Sequence, residues 1–486
     1  MKRHIISSIL IAALAAQAAL AGCGSSSAIS EDTANSGTEA TTLTETADPL
    51  MDDLGEFDFE GYEFRVLSAA YDPNGTFTLF DTEENGEVLN DSVYIRNREI
   101  EERFHIVFKA EEAYWEDCNK ILTNLVAAGE DAYDMIMLIN RHAFSAALNG
   151  YLKPVSELTW LNPEKEYYIQ DVNEQLTIAG KSFFLYSEES VYTFERAGVV
   201  AFNKQLAEEY NLGDYYQVVR DGEWTLDRFF GDAKIAARDL DGNDTMDSSD
   251  QYGIIGVADY LFASIYNGCD ELTIDKDGND IPYFAAQTSE KFSNVIDRIL
   301  SELNGDQHIY VNGDSDVATA NDMFSAGQSL FLGTVVGRLT AFRDMEDDFG
   351  MLPFPKYDEN QDNYVTRVVD AWLHVVPITN PGPERTSVIM EALASGSARY
   401  VFPAYYEKAM TMKVLRDEES AEMLDLIRTT RVIDLGECPW FETVRRRYSS
   451  DLLYKQTVNF ASLNESIRPQ VEALIDEAVE AANNLK

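Results

Sequence analysis

Met135-Ile136-Met137-Leu138-Ile139 is an unbroken apolar run of strand length, set between Asp134 and Asn140. A half-exposed strand alternates apolar and polar residues, whereas a run apolar on both faces belongs to a strand covered on both sides, the habit of parallel sheets. The flanking sequence keeps the same rhythm. Tyr62–Leu67 alternates as a strand, and a helix is expected from about Asn90, which can cap it, to Phe104. His105–Lys109 reads as a second strand and Asn119–Ala128 as a second helix. Strand and helix in this order predict an α/β fold.

The pattern continues along the chain. Phe183–Tyr186 and Val199–Phe202 read as strands, and Thr225 stands where it can cap a helix over Leu226–Arg238, with Leu226, Phe229, Phe230, Ala233 and Ala237 on one face. Tyr252–Val257, Ser329–Leu332, Gly350–Pro353 and His374–Pro377 are further expected strands. Ile467, Val471, Leu474, Ile475, Ala478 and Ala482 recur at helical spacing near the C-terminus. At 486 residues the chain exceeds a single core, so two domains or lobes are expected.

The N-terminus addresses the compartment. Lys2 and Arg3 precede an apolar stretch from Ile5 to Leu20, short for a membrane span and followed by small residues, as in a signal peptide. Leu20-Ala21-Gly22-Cys23 resembles the bacterial lipoprotein box. Residues 1–22 are therefore expected to be cleaved, Cys23 to be acylated, and residues 23–56, rich in Ser, Thr, Gly and acids, to form a disordered tether. This places the protein on the extracellular face of the bacterial cell membrane, lipid-anchored. Beyond Cys23 only Cys118, Cys269 and Cys438 remain; three cannot all pair, so buried thiols rather than a disulfide framework are expected. A net charge of −47 argues against a nucleic-acid partner.

Asp239 to Asp250 has the spacing of a calcium loop: Asp239, Asp241, Asn243, Thr245, Asp247 and Asp250 fall at positions 1, 3, 5, 7, 9 and 12. Position 6, which favours glycine, is Asp244, and position 12 is Asp250 rather than glutamate, so a structural Ca2+ of modest affinity is expected. The alternative is a solvated acidic turn. The duplicated loop of a dockerin-type adhesion module is missing, because Asp275–Asp280 stops short and reads as a hairpin turn.

No nucleophile elbow, phosphate loop or metalloprotease motif occurs, and the five histidines form no ligand cluster by spacing. With 85 acidic residues, carboxylate pairs arise by chance, so no enzyme is read from them.

Several segments do carry a resemblance. Tyr216…Gly222-Glu223-Trp224-Thr225-Leu226-Asp227, followed by the acidic loop and Asp250-Gln251-Tyr252-Gly253, resembles the extracellular solute-binding proteins of ABC transporters, carbohydrate-type family 1. Tyr133–Met137, Asn149–Val155, Gly198–Lys204 and Phe349–Pro355 fit it as well, and Glu87–Asn97 is similar to a lipoprotein subgroup of that family. The resemblance implies a two-lobed periplasmic-binding-protein-like fold (type II), lobes joined by hinge strands with the ligand cleft between them. Crossings are expected near residues 193, 361 and 405, giving lobe 1 as 57–192 plus 362–404 and lobe 2 as 193–361 plus 405–486. It further implies a monomer that captures a saccharide and delivers it to ABC transporter permease subunits. Ligands in open α/β sheets sit beyond the carboxyl ends of strands. The ligand-binding candidates are accordingly Tyr71, Asp72, Asn140, Arg141, Tyr192, Tyr266, Asn267, Arg338 and Trp372: aromatic rings for sugar faces, polar groups for hydroxyls. Arg141 also suits an acidic sugar. A receptor for a peptide or another anionic solute, and a secreted glycan-active enzyme, are the competing readings.

Overall fold

The uninterrupted apolar run at Met135–Ile139 is an interior strand of a mixed sheet, parallel to one neighbour and antiparallel to the other, and buried at every position. The computed structural model describes residues 48–70, 80, 83–188, 191–305, 307–313, 316–411 and 418–484. Cys23, Tyr71 and Asp72, with the expected signal segment and most of the tether, fall outside the described residues. Among the described residues no helix is long and apolar enough to cross a membrane.

From residue 48 the chain forms one compact unit on two main sheets and two short strand pairs. β1 (Tyr62–Ala70), β2 (Ile106–Tyr114) and β3 (Met135–Ile139) run parallel, β1 in the centre. β4 (Gly198–Asn203) and β5 (Tyr252–Gly256) open the second sheet. After a small hairpin of β6 (Asp275–Lys276) and β7 (Pro282–Tyr283), the strands β8 (Ile309–Val311), β9 (Ser329–Val335) and β10 (Phe349–Leu352) complete it in the order β10-β4-β9-β5-β8. β5 is parallel to both neighbours, while β4 is antiparallel to β9 and β10. β11 (Thr366–Arg367) follows, β12 (Trp372–Val375) adds an antiparallel edge to β3, and β13 (Arg431–Val432) pairs in parallel with β11.

The chain therefore changes sheet between β3 and β4 and again between β10 and β12. The helix Phe402–Thr411 packs on the helix Val88–Phe104 beside the first sheet, whereas Glu418–Thr429 packs on β10 of the second. Buried ion pairs fasten the connecting segments. Arg431 Nη2 meets Glu188 Oε1 at 2.8 Å with both side chains 1% exposed, and Arg367 pairs with Glu437. Removing one partner from such a pair leaves a buried unpaired charge, at a cost of about 3–5 kcal/mol.

Aromatic packing holds the helix Leu226–Ala236 to the second sheet. Trp224, fully buried, donates from Nε1 to the Pro353 carbonyl at 2.9 Å, and its ring lies 5.4 Å from both Tyr215 and Phe331. Removing such a side chain costs about 3–5 kcal/mol. Gly253 is required by the same close contact: a Cβ there would stand 2.0 Å from the Ala233 carbonyl oxygen.

Three local expectations change. Phe183–Tyr186 is not a strand; the Asn173 side-chain amide donates to the Tyr186 carbonyl at 2.9 Å, taking the place of a neighbouring strand. The first long helix starts at Val88 after Glu87, and Asn90 donates to the Glu83 carbonyl at 2.6 Å instead of capping. Thr225 does precede its helix, but without a side-chain cap bond, and the helix ends at Ala236. Cys118, Cys269 and Cys438 are all buried free thiols.

Candidate functional site

Residues at or just beyond the carboxyl ends of β1, β3, β5 and β9 line a cavity of about 640 Å³ between the two sheets. Ala69, Trp115, Ile139, Arg141 and Trp372 come from the first sheet and its connections. Asp259, Tyr260, Val317, Val335, Gly337 and Arg338 come from the second. The passages between sheets supply Tyr192, Glu195, Arg196 and Asp370, and the C-terminal segment adds Phe441 and Arg445.

Asp370 is the electrostatic centre. It stands in the left-handed region (φ 54°), a conformation Asp tolerates better than most residues. Its Oδ1 meets Arg141 Nη1 at 2.6 Å and its Oδ2 meets Arg196 Nη2 at 3.0 Å. Burial would raise this carboxyl, but Arg196 and Arg141 outweigh it and hold the group below its ordinary range. Arg141 is also sandwiched by rings, its guanidinium carbon 4.9 Å from the centre of Trp115 and 4.5 Å from that of Phe441. His142 stacks on the same Trp115 at 5.5 Å; burial and then Arg141 push its pKa down to about 4, so it is neutral at pH 7.

On the opposite wall Tyr260 receives two arginines. Arg338 Nη2 donates to its hydroxyl at 3.2 Å and Arg196 Nη1 at 3.4 Å. Burial raises the phenol, yet Arg196 and Arg338 prevail and lower it. Arg445 Nη1 pairs with Asp259 Oδ1 at 2.8 Å. Burial pushes Glu195 up to about 7 against Lys408 and Arg196.

Of the nine ligand-binding candidates, this cavity gathers Arg141, Tyr192, Arg338 and Trp372. Asn140 lies just behind it, buried, with its amide 3.6 Å from Cys438 Sγ. Tyr266 and Asn267 are placed elsewhere. Both are fully buried in the helix Ala258–Gly268, Tyr266 packed 5.2 Å from Phe292 and Asn267 donating to the Glu271 carbonyl at 2.9 Å. Trp115, Asp259 and Tyr260 were accessible to the same reasoning that singled out Arg141, since each stands directly after or close behind a strand end. Phe441 and Arg445 carry no local signal; a wide helical turn over Phe441–Arg445 brings both to the cavity. A second hollow of about 690 Å³ shares Arg141 and Phe441 but lies against the C-terminal helix at Glu477 and Glu480, outside the space between the sheets.

The acidic loop contributes no residue to the lining of this cavity and joins helix to strand as expected. Carboxylate oxygens of Asp239, Asp241 and Asp250 lie within 4.8 Å of one another, and Asp250 is fully buried. Asp244, at position 6, takes φ 62°, the conformation for which glycine is favoured there. Asp239 accepts from the amides of Gly242 and Asp244 at 2.7 and 2.8 Å, and Asn243 accepts from Thr245 at 2.7 Å. Asp247 is engaged with Ser249 at 2.8 Å. An all-oxygen donor set of this kind fits a hard divalent cation.

No protein-family model matches the chain, and no curated protein matches it in sequence. Solved structures do match its fold. A cyclo/maltodextrin-binding protein complexed with maltotetraose superposes with a TM-score of 0.56 at 13% identity, covering 89% of this chain and 98% of the other. An ABC substrate-binding protein from Listeria monocytogenes in complex with cycloalternan gives 0.55 at 12% identity, covering 86% and 99%. UgpB from Mycobacterium tuberculosis in complex with glycerophosphocholine gives 0.56 at 14% identity, covering 80% and 96%. The chain has the two-lobed α/β architecture of these binding proteins, and the cavity lies between the sheets of its two lobes.

Proposed function

We propose that this chain is an extracellular carbohydrate receptor of an ABC importer. The observation that carries the reading is the cavity itself, where Trp115, Trp372, Tyr260 and Phe441 stand among Arg141, Arg196, Asp259 and Asp370 between two lobes. Rings cover the apolar faces of sugars and the charged groups bind hydroxyls bidentately. Proteins of the same fold solved with maltotetraose and cycloalternan support it. The lobes are taken as 57–192 with 362–404 and 193–361 with 405–486, and closure would bring their walls onto the ligand.

In this reading the protein performs no turnover, acts as a monomer and hands its ligand to permease subunits. The lipoprotein-like Cys23 and the polar tether after it support attachment to the outer face of the membrane. The oxygen cluster of Asp239, Asp241 and Asp250 supports a structural calcium ion, with Asn243, Thr245 and Asp247 completing its shell. A non-sugar solute is the second reading: the arginine-rich lining would suit an anionic group, and one similar structure holds glycerophosphocholine, a non-sugar phosphodiester.

A thermal-shift screen against saccharides, peptides and glycerophosphocholine separates these. A saccharide that raises the melting temperature without release of reducing ends supports the receptor; stabilisation by peptides or glycerophosphocholine alone overturns it in favour of another solute, and reducing-end release overturns it in favour of an enzyme.

A further inference from the structure

The cavity holds four guanidinium groups, Arg141, Arg196, Arg338 and Arg445, in a chain whose net charge is −47. Its carboxylates do not balance them. Asp370 is shared between Arg141 and Arg196, and Asp259 is held by Arg445. Glu195 is half-buried beside Tyr405 and half protonated near neutral pH, since its pKa stands at about 7. Arg338 is the cation left over. Its Nη2 reaches only the Tyr260 hydroxyl at 3.2 Å, and its Nε is buried without an acceptor among the described residues. Tyr260 is no counter-charge while its phenol stays protonated.

A buried donor without a partner and a cation without an anion are both unfavourable until a ligand supplies what is missing. A hydroxyl of a neutral sugar would satisfy the donor but would leave the cation without a counter-charge; an anionic group supplies both. A guanidinium fork fits two oxygens of a carboxylate, phosphate or sulfate in one plane. The field of a positive cavity in an otherwise acidic surface favours an anion at this spot.

We propose that the ligand is an anionic saccharide, a sugar or oligosaccharide bearing a carboxylate, phosphate or sulfate group, and that Arg338 receives that group on the second-lobe wall while the rings of the first lobe take the sugar. The proposal rests on the receptor reading and names the substrate class of the same site.

The test measures dissociation constants by calorimetry for matched pairs: uronate oligosaccharides with their methyl esters, and sugar phosphates and sulfates with the parent sugars. The anionic member of at least one pair is expected to bind roughly tenfold or more tighter. That preference should weaken with added salt, disappear in Arg338→Gln and partly survive in Arg338→Lys. The pair that shows it distinguishes carboxylate from phosphate or sulfate. A ligand-free melting temperature unchanged by R338Q excludes misfolding as the cause, and Tyr260→Phe, which leaves the cation in place, should keep the preference. Neutral members binding as tightly as anionic ones, or a preference untouched by R338Q, overturns the proposal and leaves the carbohydrate receptor intact. No binding of any saccharide, neutral or charged, overturns both.

Discussion

Asp370 Oδ1 and Arg141 Nη1 stand 2.6 Å apart at one end of the first sheet, Arg141 beyond the end of β3 and Asp370 just before its antiparallel neighbour β12. The same carboxylate holds Arg196, so one residue orients two cavity cations. Asp370→Asn should cost about 1–3 kcal/mol of stability through lost charge-assisted bonds and should loosen ligand binding. The carboxyl lies below its ordinary value of 3.8, because Arg196 and Arg141 outweigh burial. Its contribution is therefore fully present above pH 3.8 and lost as pH falls through the depressed value. Melting curves of wild type and variant should converge in strong acid and stay apart at pH 6.

Glu195 works in the opposite sense. Burial lifts its carboxyl from 4.5 to about 7. Below pH 4.5 it is protonated folded and unfolded alike and has no effect; as pH rises towards 7 the unfolded chain ionises first and stability falls. Glu195→Gln should match wild type near pH 4.5 and exceed it in melting temperature at pH 8. A constant difference across that range would show that Glu195 is ionised throughout.

The loop Asp239–Asp250 predicts a metal dependence. EDTA should lower the melting temperature of the wild type, and Asp239→Ala combined with Asp250→Ala should remove that sensitivity. Calcium at a hundred times its dissociation constant should restore about 2.7 kcal/mol. An EDTA-insensitive wild type would return the loop to a hydrogen-bonded acidic turn.

Much of the sheet framework was legible because periodicity is local: the apolar run of β3, the alternation of β1 and the helix-loop-strand around Asp239–Asp250 each follow from a few consecutive residues. Phe183–Tyr186 misled for the same reason, since its partner proved to be the distant Asn173 side chain. In the cavity, the rule that ligands lie beyond strand ends led to Arg141, but after β5 it was carried to Tyr266 and Asn267, past Asp259 and Tyr260 at the start of that helix. Position along the helix explains the difference: Tyr266 and Asn267 lie seven residues further on, roughly 10 Å down the axis, and are fully buried within the helix packing, while the first turn faces the gap. Arg445 and Phe441 depend on a long return of the chain that no local pattern encodes.

The most direct test is a tryptophan-fluorescence titration of wild type, Trp115→Phe and Arg141→Ala with saccharides. Trp115 lines the cavity under the Arg141 guanidinium, so a sugar seated between the lobes should change the wild-type emission saturably. The signal should shrink in Trp115→Phe, and the apparent affinity should fall roughly tenfold or more in Arg141→Ala. A saccharide that binds all three proteins with the same signal and affinity, or no saccharide that changes the wild-type emission, would contradict a carbohydrate site in this cavity.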